Sequence, residues 1–343
     1  MDQFSTQSLS FNSTNFTCTT PLLWTKEATE DRRARLIACS VAVFTHTAFW
    51  LQLLFCPSVR QKSMQWIYAY LVTDILLLMR FFFIYIVRIT ATECEPTKLW
   101  FYFVCYVEAT VDNYLNVLEV YMLLALNICR YIQIAYNKNV YQLHKKLLLV
   151  THITMYVSTA FSFIIQFSVK WARLDIKFQD SCQVTYTNIY IQVFNIITAF
   201  ALPILLNVVV IYMSARHVRL TSTLQRATHV SAREKYNRSL VIQFLIFYII
   251  WVALWSPNVI LFQIAGGGTL TATFRLLNFI EIALDPLIIA ALDVRFWQAW
   301  QKFGQYVRVE IVKRGSTAGR IGPTTTRVNV VSFKTVQQQT TNI

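Results

Sequence analysis

The chain has 343 residues and a formal net charge of +14, but only 14% of its residues are charged and 55% are hydrophobic. Because soluble proteins carry about a quarter charged residues, this composition excludes an ordinary soluble domain and is typical of a protein that lies in lipid. The positive charge does not indicate nucleic-acid binding, since the basic residues fall in short loops between apolar stretches of about 20 residues.

The amino-terminal segment, residues 1–34, is polar and rich in Ser, Thr and Asn. It contains two N-glycosylation sequons, at Asn12 and Asn15, which predict an extracellular tail. The segment lacks the apolar stretch of a cleavable signal peptide, so we expect the first apolar stretch to act as an uncleaved signal anchor.

Seven apolar stretches follow, each long enough to cross a bilayer as a helix. They cover approximately residues 35–57, 65–89, 99–134, 145–168, 189–215, 236–264 and 271–292. The pattern of residues 293–306 predicts an amphipathic helix on the membrane surface. The composition of residues 307–343 predicts a disordered cytoplasmic tail. The predicted fold is therefore an all-α membrane protein, a seven-transmembrane helix bundle over residues 35–292 with a short amphipathic eighth helix.

The distribution of basic residues predicts the orientation of these helices. With the amino terminus outside, the segments on the cytoplasmic side hold more than half of the 31 Lys and Arg residues. The positive-inside rule therefore favours an outer amino terminus and a cytoplasmic carboxyl terminus. The basic segment over residues 216–238 is expected to attract anionic lipid and to offer a docking surface to a cytoplasmic protein.

The third apolar stretch carries a row of polar residues. Glu108, Asp112, Asn116 and Glu119 are separated by four, four and three positions, so they lie on one face of a helix. Carboxylates are costly in hydrocarbon, so this face must point to a protein interior or to a wet cavity. We therefore expect this helix to be central in the bundle.

The seventh stretch carries a second polar row on one helical face, formed by Arg275, Asn278, Glu281 and Asp285. If this row faces the polar row of the third stretch, the polar residues form two layers, one nearer the outer face and one deeper in the membrane. The outer layer is a candidate ligand-binding site, formed by Glu108, Asp112, Asn116, Arg80 and Arg275. The alternative is an internal salt bridge of Asp112 or Glu108 with Arg275 or Arg80, which would satisfy these charges without a ligand.

Several short motifs occur in a fixed order along the chain. Cys105 lies 25 residues before Arg130, which stands in the triplet Cys129-Arg130-Tyr131. Further motifs are Leu71-Val72-Thr73-Asp74, Trp255-Ser256-Pro257 and Asp285-Pro286. Over residues 35–306 this pattern resembles the rhodopsin-like (class A) G-protein-coupled receptors.

The resemblance implies roles for individual residues. Cys105 and Cys182 would form a disulfide on the outer face. Asp112 matches the acid that pairs with amine ligands, and Trp255 would lie at the bottom of the same pocket. The conformational switch would involve Arg130, Tyr131, Pro257 and Pro286. A bond between Cys18 and Cys94, which both lie in outer segments, is left open, while the remaining cysteines, Cys39, Cys56 and Cys129, are interpreted as small apolar residues.

The deeper layer would contain four carboxyl groups, on Asp74, Glu119, Glu281 and Asp285, at positions where the family commonly holds a sodium ion. Four carboxylates in one cavity cannot all ionise without a cation. We therefore expect the cluster to bind Na⁺ or to share protons, with the alternative that it is a neutral hydrogen-bonded network. The resemblance implies no other cofactor, and retinal is excluded because the seventh stretch has no lysine for a Schiff base.

The chain also departs from the family pattern. Cys129 replaces the acid of the Asp-Arg-Tyr triplet, and Asn237 stands where a helix-six glutamate often pairs with the arginine. Without these carboxylates Arg130 would be less restrained, which predicts elevated signalling in the absence of ligand. Ile289 replaces the seventh-helix tyrosine, which leaves open whether coupling to a G protein is retained.

The function expected from this resemblance is a plasma-membrane receptor that binds an extracellular peptide or small charged molecule and signals to a heterotrimeric G protein. Two arginines near the acid favour such a ligand over a simple amine. An enzyme is not expected, because the sequence has no Ser/His/Asp order, metal-ligand spacing or Gly-rich phosphate loop. The alternative function is a seven-helix transporter or ion-conducting protein that uses the acidic cavity as its pathway.

Overall fold

The computed structural model describes residues 24, 26–56, 60, 64–90, 98–136, 140–177, 181–224, 242–243, 245–257, 269–292, 296, 298 and 301. The predicted glycosylation sites Asn12 and Asn15, the cysteines Cys18 and Cys94, Asn237 and nearly all of residues 293–343 lie outside this range. The chain divides into two compact units, Met1–Phe296 and Trp297–Ile343. Of the second unit only residues 298 and 301 are described, and both are helical.

The first three helices are α1 (Lys26–Phe55), α2 (Gln65–Thr90) and α3, which continues from Lys98–Tyr106 through a π-helical turn, Val107–Val111, into Asp112–Tyr136. A one-turn helix, Val140–Leu143, precedes α4 (Lys145–Ser168). Two strands follow, β1 (Ala172–Lys177) and β2 (Ser181–Tyr186). Helix α5 runs from Ile189–Ile196 through a π turn, Ile197–Ala201, into Leu202–Leu224, and is followed by α6 (Leu245–Pro257) and α7 (Thr269–Leu292).

The helical, membrane-like character expected from the sequence is confirmed. Among the described helices, five are long and apolar enough to cross a membrane, namely α1 to α5. Helix α6 is shorter over its described residues. Helix α7 has 24 residues but carries three ionisable side chains, on Arg275, Glu281 and Asp285, which a helix facing lipid would not tolerate.

Helix α1 begins at Lys26, inside the segment that the sequence indicated as a polar tail. Three acidic residues in its first two turns favour this start, since they complement the positive amino-terminal end of the helix dipole. Two of its basic residues, Arg32 and Arg35, are buried. Tertiary contacts to these arginines thus extend the helix beyond its apolar part.

A β-hairpin that the sequence did not predict connects α4 to α5. Strands β1 and β2 pair antiparallel, with Cys182 opposite Ile176. Lys170, between α4 and β1, has φ of 60°, the left-handed conformation that lets the chain reverse there. Buried side chains of β1 and β2 pack on the first part of α3, and this burial raises the pKa of Tyr186 to about 12.

The predicted disulfide between Cys105 and Cys182 is confirmed, and it fixes the hairpin to α3. Their Cα atoms are 5.2 Å apart, within the usual range for such a bond. Cys39, Cys56 and Cys129 are free thiols, and Cys39 and Cys129 are buried.

Helix α3 is the central element of the described bundle, as its polar row predicted. It packs against α2, α4 and α5, while α1 packs most extensively against α7. In its lower half most residues are buried, whereas α4 exposes most of its apolar side chains, as expected of a helix that faces lipid. The polar residues of α3 therefore face neighbouring helices.

Candidate functional site

A cavity of about 80 Å³ opens at the end of the helices that carries the disulfide. Its walls combine aromatic and charged side chains from α1, α2, α3, α5 and α7. All five residues of the predicted outer layer line it, namely Arg80, Glu108, Asp112, Asn116 and Arg275. The sequence argument therefore placed these residues together correctly, while their role in binding remains a prediction.

Glu108 connects four elements at the mouth of this cavity. It is buried, and its Oε2 accepts a hydrogen bond from Arg88 Nη2 at 2.5 Å and one from the backbone N–H of Cys182 at 3.3 Å. Arg32 Nη1 lies 3.7 Å from its Oε1. One carboxylate thus holds α1, α2 and the hairpin against α3.

Asp112 forms an ion pair with Arg80, one turn deeper in the cavity. Arg80 Nη1 also donates to the backbone oxygen of Glu108 at 2.7 Å, which fixes the guanidinium between the two acidic positions. Arg275 lies close enough to interact electrostatically with Asp112, Glu108 and Arg80. The internal salt bridge that the sequence left as an alternative is therefore present between Asp112 and Arg80. Glu108 instead forms its ion pairs with Arg88 and Arg32.

Four residues of this site were missed by the sequence analysis, namely Trp24, Arg32, Arg35 and Arg88. The Arg32 guanidinium lies 3.7 Å from the centre of the Trp24 ring, and that of Arg88 lies 5.6 Å from it. The sequence analysis gave these residues no role in the site. Helical spacing would have revealed them, because Arg32 and Arg35 are three positions apart and Arg88 is two turns beyond Arg80.

Both π-helical turns contribute side chains to the cavity wall. The turn in α3 carries Glu108 and Ala109, and the turn in α5 carries Phe200. Pro203 lies two residues after the turn in α5, and its missing N–H explains why regular α-helical bonding fails there. Such turns occur frequently at functional sites, because they redirect side chains locally.

Trp255 lies next to the cavity and connects it to α6. Trp255 is not one of the described residues that line the cavity. Its indole Nε1 donates a hydrogen bond to Oδ1 of Asn116, which does line it, at 3.2 Å. Its ring packs against Phe200 with centroids 5.5 Å apart and stacks on Trp251 at 4.5 Å. Its expected position beneath the outer layer agrees with these contacts.

The four carboxyl groups of the deeper layer lie together and are almost fully buried. Each of the four residues is at most 1% exposed, namely Asp74, Glu119, Glu281 and Asp285. The Asp74 carboxyl lies beside that of Glu119, and the Glu281 carboxyl beside that of Asp285. In the described part of the chain, no group of three or more His, Cys, Asp or Glu side chains is arranged to hold a metal ion.

Tyr70 and His46 belong to this carboxyl cluster, and the sequence analysis assigned neither to it. The Tyr70 hydroxyl lies 2.7 Å from Glu281 Oε1 and also contacts Asp285 Oδ2. Since a phenol has one proton, it cannot donate a full hydrogen bond to both carboxyl groups. His46 Nε2 lies 3.1 Å from the backbone oxygen of Ile282 and 3.8 Å from Asp74 Oδ2.

Of the predicted switch residues, Arg130 and Tyr131 lie towards the other end of the helices, whereas Pro257 lies two residues beyond Trp255 and Pro286 directly after Asp285. Arg130 is about 33 Å from Glu108 along α3, given the helical rise of 1.5 Å per residue. It is buried, and its Nη1 lies 3.3 Å from Gln133 Oε1 on the same helix. Tyr131 is partly buried, Pro257 is the last described residue of α6, and Pro286 lies inside α7.

Tyr141, in the one-turn helix after α3, is buried near Arg130. This burial raises the pKa of the Tyr141 hydroxyl, while the charge of Arg130 opposes the rise. Asn127 and Asn207 join α3 to α5 nearby, with Asn127 Nδ2 donating to Asn207 Oδ1 at 2.6 Å. Arg130 is therefore buried at the point where α3 adjoins the one-turn helix, one turn along α3 from the Asn127–Asn207 hydrogen bond.

No protein-family model and no curated protein matches the chain. The functional argument therefore depends on the geometry of these three sites, namely the outer cavity, the carboxyl cluster and the surroundings of Arg130.

Proposed function

We propose that the chain is a receptor similar to the rhodopsin-like G-protein-coupled class, with seven membrane-spanning helices and an outer amino terminus. Its ligand enters the outer cavity, and the signal leaves at the end of the bundle that contains Arg130. The observation that carries this proposal is the Asn116–Trp255 hydrogen bond. It couples a residue that lines the cavity to α6, the helix that would move on activation.

The contacts of α6 support a path from the cavity through the bundle. Trp255 stacks on Trp251, which in turn stacks on Tyr248 with ring centroids 5.8 Å apart. Phe247, on the same helix, packs edge-to-face against Tyr70 at 6.1 Å. A ligand that displaced Asn116 would therefore change the packing of α6 both beneath the cavity and beside the carboxyl cluster.

The carboxyl cluster is proposed to share protons and to couple its protonation to activation. The contacts of Tyr70 with two carboxyl groups support this, because one of the two groups must carry a proton if both bonds are to form. A bound Na⁺ is the other state that would relieve the repulsion between these acids. Sodium titration of signalling at fixed ionic strength distinguishes the two, since proton sharing alone predicts no specific sodium effect.

A transporter or ion-conducting protein remains the second candidate, since the buried carboxyl groups would suit a proton or cation pathway. Such a pathway requires continuous water between the cavity and the cluster. The packing of the Trp255 ring against Phe200 and Trp251 favours the receptor, because these aromatic side chains fill the space next to Asn116. Proteoliposome flux of protons or sodium would support the transporter.

The remaining parts of the proposal follow from the resemblance and the charge distribution. The protein would lie in the plasma membrane as a glycoprotein, and its cytoplasmic side would contact anionic lipid and a heterotrimeric G protein. The test is a ligand panel with a second-messenger readout in transfected cells. Arg130→Ala and Asp112→Ala should reduce the response at equal surface expression, while Lys146→Ala, on an exposed position of α4, should leave it unchanged.

A further inference from the structure

We propose that the outer cavity binds a small uncharged ligand that donates a hydrogen bond, through a hydroxyl group, to Oδ1 of Asn278. This inference deepens the proposed receptor function, on which it rests, by naming the chemical class of the ligand and the residue that selects it. It replaces the expectation of a peptide or a small charged molecule.

The side-chain amide of Asn278 is the observation on which the argument depends. Asn278 lies on α7 and lines the cavity. It is 5% exposed, and its buried Oδ1 accepts no hydrogen bond from the described part of the chain. Buried polar atoms nearly always have a hydrogen-bond partner, because an unsatisfied one has lost its bonds to water without replacement. A donor that enters the cavity would supply what this oxygen lacks.

The two other asparagines described in the cavity wall already use their amide groups. Asn116 Oδ1 accepts from Trp255 Nε1 at 3.2 Å, and Asn116 Nδ2 donates to a backbone oxygen of α3 at 2.7 Å. Asn113 Nδ2 also donates to a backbone oxygen of α3, at 3.1 Å. Among the described residues of this wall, Asn278 therefore carries the buried acceptor that has no donor.

The charged side chains of the site already have partners. Asp112 pairs with Arg80, and Glu108 pairs with Arg88. Interactions beyond these two pairs engage four arginines of the site, namely Arg32, Arg35, Arg88 and Arg275. A charged ligand would lose its hydration on entry and would compete with these interactions, whereas an uncharged ligand leaves them in place.

The remaining buried polar groups of the wall favour a hydroxyl group over other uncharged donors. Arg80 Nε and Trp24 Nε1 are buried N–H groups without a hydrogen-bond acceptor in the part of the chain that the structure describes. A hydroxyl group donates one hydrogen bond and also accepts through its lone pairs. It therefore complements both kinds of group in this wall, while an ether lacks the donor that Asn278 needs.

The size of the cavity and its aromatic wall define the rest of the ligand. A water molecule needs about 10–15 Å³ on the scale by which this cavity measures about 80 Å³. The space therefore suits a body of a few heavy atoms. Aromatic side chains supply an apolar wall for that body, namely Trp24, Phe81, Phe200 and Phe279. A single ring that carries one hydroxyl group has this combination of properties.

The test measures binding to the purified full-length protein in lipid nanodiscs, independently of signalling. Binding to empty nanodiscs is subtracted, because small aromatic molecules also dissolve in lipid. The probes are phenol and benzyl alcohol, with anisole as the analogue that keeps the oxygen without the donor, and benzoate and benzylamine as charged molecules of similar size. We expect saturable binding of at least one hydroxyl compound, at least tenfold tighter than that of anisole, benzoate and benzylamine.

Substitutions of matched size locate the hydrogen bond. Asn278→Leu removes the acceptor, so the preference for the hydroxyl compound over anisole should fall from at least tenfold to about twofold or less. Asn113→Leu, in the same wall, should retain the preference, since the Asn113 amide already donates within α3. If Asn278→Leu fails to fold, Asn278→Ala removes the same acceptor, and the comparison of probes on the unchanged protein still decides the question.

Three results would overturn the proposal. They are anisole, benzoate or benzylamine binding as tightly as the hydroxyl compounds, a hydroxyl preference that survives the substitution of Asn278 or is lost equally in Asn113→Leu, and no saturable binding of either hydroxyl compound at millimolar concentration to folded protein. The receptor function fails separately. Binding of a hydroxyl compound, with no second-messenger response to any ligand of the panel, contradicts the receptor alone, whereas signalling driven by a charged ligand contradicts the uncharged-ligand site alone.

Discussion

The indole N–H of Trp255 donates a hydrogen bond to the side-chain oxygen of Asn116 at 3.2 Å, and this bond joins α6 to α3 beside the outer cavity. Both residues are buried, Trp255 completely. A buried N–H of this kind needs a partner, so movement of Asn116 must be followed by the tryptophan or must leave a polar group unsatisfied. The bond therefore connects occupancy of the cavity to the position of α6.

Asn116→Leu removes the acceptor and leaves the Trp255 N–H buried without it. We expect ligand-dependent signalling to fall at least tenfold in potency while the protein still reaches the surface. Trp255→Phe, which removes the donor, should give a similar loss. The two changes together should cost little more than either alone, because they break the same bond. Full additivity in dose-response curves would contradict this coupling.

The ion pair between Arg80 and Asp112 predicts coupled stabilities. Arg80→Gln and Asp112→Asn each leave a charge without its partner, and each should lower the free energy of unfolding by about 1–3 kcal/mol. The double variant should regain part of this loss. Thermal unfolding of the four proteins in one detergent measures the coupling, and a coupling energy near zero would mean that the ion pair contributes nothing to the fold.

Tyr70→Phe removes the hydroxyl group that contacts both Glu281 and Asp285. Because both carboxyl groups then lose a buried hydrogen-bond partner, we expect destabilisation by about 1–3 kcal/mol. Tyr190→Phe is the matched control, since Tyr190 is 79% exposed and the same substitution there should change little. Equal unfolding temperatures for the two variants would show that Tyr70 is not part of the cluster's hydrogen bonding.

Cys129→Asp introduces the acid that precedes the arginine in the rhodopsin-like receptors that the sequence resembles. The new carboxylate would be adjacent in sequence to Arg130, whose Nη1 contacts the neutral side-chain oxygen of Gln133. We expect ligand-independent signalling to decrease, since an ion pair restrains the arginine more strongly. Cys129→Ser controls for loss of the thiol. Basal second-messenger levels that are the same in all three proteins would contradict the prediction.

Much of the described fold follows from the sequence, because helices in lipid have a nearly fixed length and must satisfy their own backbone groups. The expected stretch 65–89 lies within one residue of α2, and 145–168 is reproduced by α4. The polar rows were equally informative, since spacings of three and four fix which side chains share a helical face. Spacing alone thus predicts that Glu108, Asp112 and Asn116 share one face, and all three line the outer cavity.

The missed residues depend on contacts between distant parts of the chain. Arg32 and Arg35 lie in a polar segment, where hydropathy indicates a tail. Both are helical and buried, and Arg32 contacts Glu108 and the ring of Trp24. Tyr70 was invisible for a related reason, since its hydroxyl matters only beside two carboxyl groups of another helix. Hairpin β1–β2 is short and has no strong turn signal, so its formation depends on packing against α3 and on the Cys105–Cys182 bond.

The most direct test of the receptor proposal is nucleotide exchange on purified heterotrimeric G proteins of each class, with the full-length protein reconstituted in lipid vesicles. We predict that it accelerates exchange on at least one class above the rate with empty vesicles, that Arg130→Ala removes the acceleration, and that Lys146→Ala does not. Folded protein that accelerates exchange on none of them, with or without a ligand that binds the outer cavity, would contradict the account.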